Sequence, residues 1–183
     1  MNFVAVDGQG SPNEPDGDYK KALEALYAVQ YTIKMSKMGS SKPTGYFDYV
    51  VPPLEGLWWL PDGKSDFRDK SKYNWISMIR LPEYVNKDVF KWAKGEAALK
   101  KKIDTDKAYF FNFSEGLCVQ CMHIGSYDNE PETLALMDKF MSDNSLIKDM
   151  NDKRRHHEIY LSDPRKGDPA KTKTVLRVPV RKG

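Results

Sequence analysis

The chain has 183 residues, with 29 Lys and Arg against 26 Asp and Glu and a formal net charge of +3. This length suits one large domain or two small packed ones, and the near-balance of charge excludes the strongly basic character of a nucleic-acid binder. Aromatic residues make up 12%, a high share for a chain with a mean hydropathy of -0.66.

No stretch approaches the roughly 18–20 apolar residues that cross a bilayer. Met1-Asn2-Phe3-Val4 lacks the basic start and apolar core of a signal peptide, so the expected compartment is the cytoplasm. The basic clusters Lys100-Lys101-Lys102 and Lys153-Arg154-Arg155 have acidic neighbours and read as solvated surface.

Phe3 to Asp7 alternates as a short strand, and Gly8 to Pro15 is a turn-rich break. Tyr19, Ala22, Leu23, Leu26, Gln30 and Ile33 then fall at helical spacing, and Gly39 is the expected left-handed stop. Tyr46 to Val51 reads as a strand broken by Pro52-Pro53 and continued from Leu57 to Leu60, with a turn at Pro61-Asp62-Gly63. Tyr73 to Leu81 is the next strand. A helix over Lys87 to Lys102 follows, with Val89, Phe90, Ala93, Ala97 and Leu99 near one face.

Strands are expected at Ala108 to Phe113 and Leu117 to Ile124. Next comes a helix with the stripe Thr133, Leu134, Met137, Phe140 and Met141. Asn13-Glu14 and Asn129-Glu130 are the expected helix caps. Lys148 to Arg155 reads as a polar connection. Glu158 to Leu161 is a short strand, Asp163 to Lys173 a turn, and Thr174 to Val180 the last strand.

Cys118 and Cys121 form C-x-x-C on a strand, where residues three apart face opposite ways. With no second C-x-x-C to complete a zinc site, two buried structural thiols are expected. His156-His157 fails as a metal pair for the same reason: adjacent strand residues diverge. No metal and no cofactor are expected.

An internal repeat organises these elements. Gly10-Ser11 with Asn13-Glu14-Pro15 matches Gly125-Ser126 with Asn129-Glu130-Pro131, each ahead of a helix. Ile79-Arg80-Leu81-Pro82 matches Leu176-Arg177-Val178-Pro179, and Trp58-Trp59-Leu60 aligns loosely with Ile159-Tyr160-Leu161. The expected fold is α+β: tandem duplicated β-α-β-β units with pseudo-twofold symmetry, a linking helix, and a curved antiparallel sheet with a ligand groove at the seam. Repeat one spans about 3–85, the linking helix about 86–104 and repeat two about 108–181, together one domain.

Three stretches carry a resemblance. They are Phe113-Ser114-Glu115-Gly116-Leu117-Cys118-Val119-Gln120, Met122 to Glu130, and His157-Glu158-Ile159-Tyr160-Leu161-Ser162-Asp163-Pro164. With Val6 to Asn13 and the strand from Trp75 to Pro82, they resemble the GyrI-like small-molecule-binding family over nearly the whole chain. The resemblance implies the duplicated fold just described. It also implies a module that senses ligands in multidrug-responsive regulators and occurs alone, including in a gyrase-inhibitory protein. Some stand-alone members are implied to be hydrolases that open the cyclopropane of DNA-alkylating cyclopropanoid compounds. No helix-turn-helix pattern precedes the module in this sequence, so direct control of transcription is not expected.

Glu158 is the leading catalytic candidate. It shares a strand face with Tyr160, breaks the repeat symmetry because its counterpart in the first repeat falls near Leu57, and matches the glutamate that family members place in the pocket. The competing reading is a surface acid paired with Arg154 or Arg177. Tyr127 is the second catalytic candidate, a phenol at the start of the second helix. Trp58, Trp59, Trp75, Tyr109, Phe111, Tyr160 and His123 are candidates for ligand binding, each weighed against a role in the core. Glu115 is read mainly as a turn residue, and Arg80 and Arg177 as structural.

The expected function is binding of a hydrophobic aromatic small molecule, with hydrolysis of cyclopropanoid-type electrophiles as detoxification. The alternative is a non-catalytic module that binds lipophilic cations, with Glu158 as fixed counter-charge. A third reading, a partner of a DNA-handling enzyme, finds no support in the charge pattern. The expected partners are therefore an aromatic or cationic small molecule, not nucleic acid directly and not a membrane, in a monomer or homodimer.

Overall fold

The computed structural model describes residues 1–61, 70–162 and 168–183. Asp62 and Gly63 of the expected turn lie outside them, as do Asp163 and Pro164 of the family-like stretch. The α+β class expected from the sequence is the observed one. In chain order the described elements are β1 (Asn2–Gln9), α1 (Asp18–Met35), β2 (Leu54–Trp59), β3 (Asn74–Arg80), α2 (Lys87–Lys101) and β4 (Tyr109–Asn112). They continue with β5 (Cys118–Ile124), α3 (Glu130–Asp143), β6 (Leu146–Lys148), β7 (His156–Tyr160) and β8 (Lys173–Lys182).

The chain divides into two compact units. The first comprises Met1–Pro53 and Leu60–Phe113, the second Leu54–Trp59 and Ser114–Gly183. The strand β2 thus belongs to the second unit although it lies in the first half of the sequence.

In the first unit β1 pairs antiparallel with both β3 and β4. Helix α1 packs on β1 and β3, and α2 packs on α1. The α1 stripe Ala22, Ala25, Leu26, Val29 and Ile33 is buried, as helical periodicity requires. Gln30 is buried in the same stripe and is satisfied: its Nε2 donates to the Arg80 carbonyl at 2.8 Å and its Oε1 accepts from the Tyr49 hydroxyl at 3.1 Å.

In the second unit β7 pairs antiparallel with β2 and β8, β5 pairs with β8, and the short β6 pairs with the end of β8. Val119, Met137, Met141, Leu176, Val178 and Val180 form its core.

Several expectations are corrected. Residues 46–51 form no strand. The Tyr46 hydroxyl donates to the Lys34 carbonyl at 2.7 Å, and Asp48 pairs with Lys34 and Lys37. Tyr46 and Phe47 pack on Tyr84 with ring centroids 5.4 and 5.2 Å away. These contacts strap the segment to the end of α1, and Val50 is left 87% exposed.

Gly39 is extended, with φ −126°, because α1 closes through a 3₁₀ turn at Ser36–Met38. Asn13 and Asn129 make no side-chain cap to an α-helix. Asn86, unforeseen, caps α2 by accepting from the Asp88 and Val89 amides at 3.0 and 2.9 Å. Leu99 and Phe140 face solvent rather than the core, since neighbours one position off the stripe rotate outward. The strand β6 lies in a segment whose polar end reads as connection. Cys118 and Cys121 are free and half-buried rather than buried, because among the described residues β5 is an edge strand paired with β8 alone.

Candidate functional site

The alternation of β7 puts His156, Glu158 and Tyr160 on one face and His157 and Ile159 on the other. In the β2–β7 register Trp58 lies opposite His156, Gly56 opposite Glu158 and Leu54 opposite Tyr160. Gly56 is what lets the rings approach. A Cβ at that position would lie 2.5 Å from the Trp58 Nε1 and 3.1 Å from the Tyr160 hydroxyl oxygen.

Across this gap the Trp58 indole N–H donates to the Tyr160 hydroxyl at 2.8 Å, and that hydroxyl donates to Glu158 Oε2 at 2.8 Å. The other carboxylate oxygen, Oε1, lies 3.3 Å from His156 Nε2. Tyr127, in the 3₁₀ turn ahead of α3, sets its ring edge-on to Tyr160 at 6.1 Å. The Glu158 and His156 side chains keep 14% and 11% of their surface exposed, so the carboxylate is sheltered but reachable. Neither arginine weighed as its partner holds it. Arg154 binds Asp149 and backbone carbonyls, and Arg177 binds Glu115.

The opposite face of β7 carries a cluster the sequence reading missed. His157 is buried, with Nδ1 against Glu115 Oε2 and Nε2 2.9 Å from Glu55 Oε2. Arg177 on β8 reaches the same Glu115 oxygen at 3.2 Å and donates through Nε to Gln120 Oε1 at 3.0 Å. Burial alone lowers the His157 pKa, but the two carboxylates outweigh it and raise the value. Burial raises the Glu115 carboxyl, and the opposing hydrogen bonds and charges of His157 and Arg177 bring it below the ordinary value. The one available signal was the pair His156-His157, whose divergence rules out a shared metal yet delivers one imidazole to each face.

The remaining candidates make other contacts. Trp59 points away from Trp58 and carries the Arg155 guanidinium over its ring at 4.6 Å. His123 is buried, with Nδ1 2.8 Å from Thr133 Oγ1 and Nε2 2.9 Å from the Ser126 carbonyl, which ties β5 to the start of α3. Trp75, Tyr109 and Phe111 belong to the first unit. There Trp75 is buried edge-on to Tyr19 at 5.1 Å, and Phe111 stacks on Phe113 at 5.7 Å. Burial, with Asp7 second, pushes the Tyr109 phenol up to about 12. Among the described residues no group of three or more His, Cys, Asp or Glu is arranged to hold a metal, and no helix is long and apolar enough to cross a membrane.

A sheltered carboxylate hydrogen-bonded within a set of indole and phenol rings is the make-up of a small-molecule-binding module. The model of the GyrI-like small molecule binding domain matches residues 1–181, and the chain belongs to that family. A crystal structure of an uncharacterized conserved protein from Listeria innocua is 49% identical, with a TM-score of 0.93 over 99% of this chain and 88% of that one. A hydrolase from the same organism is 48% identical, with a TM-score of 0.89 over 99% of this chain and 87% of that one. The C-terminal domain of EcmrR, 12% identical with a TM-score of 0.55 over 100% of this chain and 92% of that one, shares the fold alone. No functionally curated protein gives a significant match.

Proposed function

We propose that this GyrI-like chain binds flat hydrophobic electrophiles and hydrolyses those with a cyclopropane conjugated to a carbonyl. The observation that carries the reading is the Trp58–Tyr160–Glu158 hydrogen-bonded chain. It fixes a carboxylate beside aromatic surface while leaving it reachable by water. The hydrolase from Listeria innocua supports the reaction class through its 48% identity.

In the proposed reaction Glu158 takes a proton from water as the water oxygen attacks the cyclopropane methylene. The ring carbon–carbon bond breaks, and its electron pair passes through the conjugated system to the carbonyl oxygen. The Tyr127 phenol donates to that oxygen as it becomes a hydroxyl, and solvent carries the Glu158 proton back to Tyr127. The sum is addition of one water. Ring stacking supplies orientation, and the strain of the three-membered ring supplies the driving force.

Wild-type protein incubated with a cyclopropanoid alkylator is expected to yield the ring-opened alcohol, followed by mass spectrometry. Glu158→Gln should lower the rate by about a hundredfold to ten-thousandfold, the usual contribution of a general base. Equal rates for the two proteins would refute the role of Glu158, and no turnover above buffer would refute the substrate class. The same carboxylate among the Trp58, Tyr127 and Tyr160 rings also suits a lipophilic cation held without chemistry. Binding of an aromatic cation combined with absent turnover would select that second reading.

A further inference from the structure

The ring nitrogens of His157 face two different carboxylates, Glu115 from the turn before β5 and Glu55 from β2. A neutral imidazole has one N–H and one lone pair. In the neutral form one nitrogen would therefore turn its lone pair toward a carboxylate oxygen, at 1% side-chain exposure where burial strengthens the repulsion. Arg177 on the same Glu115 oxygen favours the ionised carboxylate there. The arrangement is satisfied when His157 carries both protons. The cluster then holds two anions, Glu55 and Glu115, and two cations, His157 and Arg177. Among the described residues, Cys118 on β5 and Arg154 also lie within electrostatic range of the Glu115 turn.

The position of this cluster matters as much as its charge. His157 sits directly opposite Leu57 in the β2–β7 register, flanked by the pairs Gly56–Glu158 and Trp58–His156. Its bond to Glu55 therefore ties β2 to β7 beside the pairs Trp58–His156, Gly56–Glu158 and Leu54–Tyr160, which carry the Trp58–Tyr160–Glu158 chain on the other face.

We propose that His157 is a positioning residue: as a buried imidazolium clamped between Glu55 and Glu115, it holds β2 against β7 and so sets the Trp58–Tyr160–Glu158 chain. The inference deepens the proposed function, because it says how the reactive carboxylate is held. It does not depend on the substrate.

The test is NMR of the ligand-free full chain. The Trp58 indole N–H resonance, assigned by its loss in Trp58→Phe, reports the bond to Tyr160. The ring ¹⁵N shifts of His157 report its protonation. At pH 7 both His157 nitrogens should show imidazolium shifts. As pH rises, the Trp58 resonance should move with the midpoint of His157. In Glu115→Gln, whose substitution lies on neither strand, both midpoints should fall together and the Trp58 resonance should be displaced from its wild-type position at pH 7. A neutral His157 at pH 7 would overturn the proposal. So would a Trp58 resonance unchanged in Glu115→Gln, or one that stays fixed while His157 titrates. Because no substrate is present, a protein without turnover would refute the hydrolase reading and leave this result standing.

Discussion

Glu158 owes its surroundings to a residue with no side chain. Gly56 lies opposite it, and the space above Gly56 is where the Trp58 indole meets the Tyr160 hydroxyl. Gly56→Ala forces a methyl into that space. The expected cost is about 1–3 kcal/mol of stability, as for other overpacked sites, read from urea unfolding. Loss of the Trp58–Tyr160 bond should appear as an altered near-ultraviolet dichroism band. Thr174 makes a contrasting prediction. Its hydroxyl is fully buried on β8 and has no hydrogen-bond partner among the described residues. Thr174→Val replaces that hydroxyl by a methyl of the same shape and should raise stability by about 1 kcal/mol, measured by urea unfolding. A decrease would show that the hydroxyl is bonded. The contact of Glu158 with Tyr160 was legible in the sequence, because period-two alternation puts residues two apart on one face. The part played by Gly56 was not, since only the β2–β7 register brings it opposite Glu158.

At the scale of elements, helix stripes and most strands follow from periodicity, while caps and straps depend on contacts that spacing does not contain. Asn13 and Asn129 have the composition of caps, yet Asn86 does the capping, through two amides of α2. Asn86→Ala should lower stability by about 1 kcal/mol in urea unfolding, and Asn13→Ala should leave it unchanged. Residues 46–51 show why aromatic alternation can mislead. Tyr46, Phe47 and Tyr49 satisfy themselves on α1 and Tyr84 instead of on a neighbouring strand. The His156-His157 pair holds a similar lesson. Strand geometry separated the two imidazoles correctly, but only the fold showed that Glu55, far away in sequence, waits for one of them.

Across the whole molecule, the charged cluster on the second unit gives stability a defined pH dependence. The raised His157 pKa means that the folded chain keeps a proton the unfolded chain releases above its ordinary value of 6.5. That contribution is complete below about pH 6.5 and is lost as pH climbs through the raised value. Glu115 acts in the opposite sense. Its lowered pKa contributes fully above the ordinary 4.5 and is lost as pH falls through the depressed value. Urea unfolding free energy should therefore fall on both the acid and alkaline sides of a plateau between these limits, and Glu115→Gln should weaken both declines. The high aromatic share also has part of its explanation. Trp75 and Phe111 pack against other rings of the first unit, while in the second the Trp58 indole and the Tyr160 phenol form a hydrogen-bonded chain to Glu158, with Tyr127 edge-on to Tyr160. The most direct test of the central claim is hydrolysis of a cyclopropanoid alkylator in ¹⁸O-labelled water by wild-type and Glu158→Gln protein. Label on the carbon released from the ring, formed by wild type well above buffer and by Glu158→Gln at close to the buffer rate, is the predicted result. Equal rates for both proteins, or no product above buffer, would contradict it.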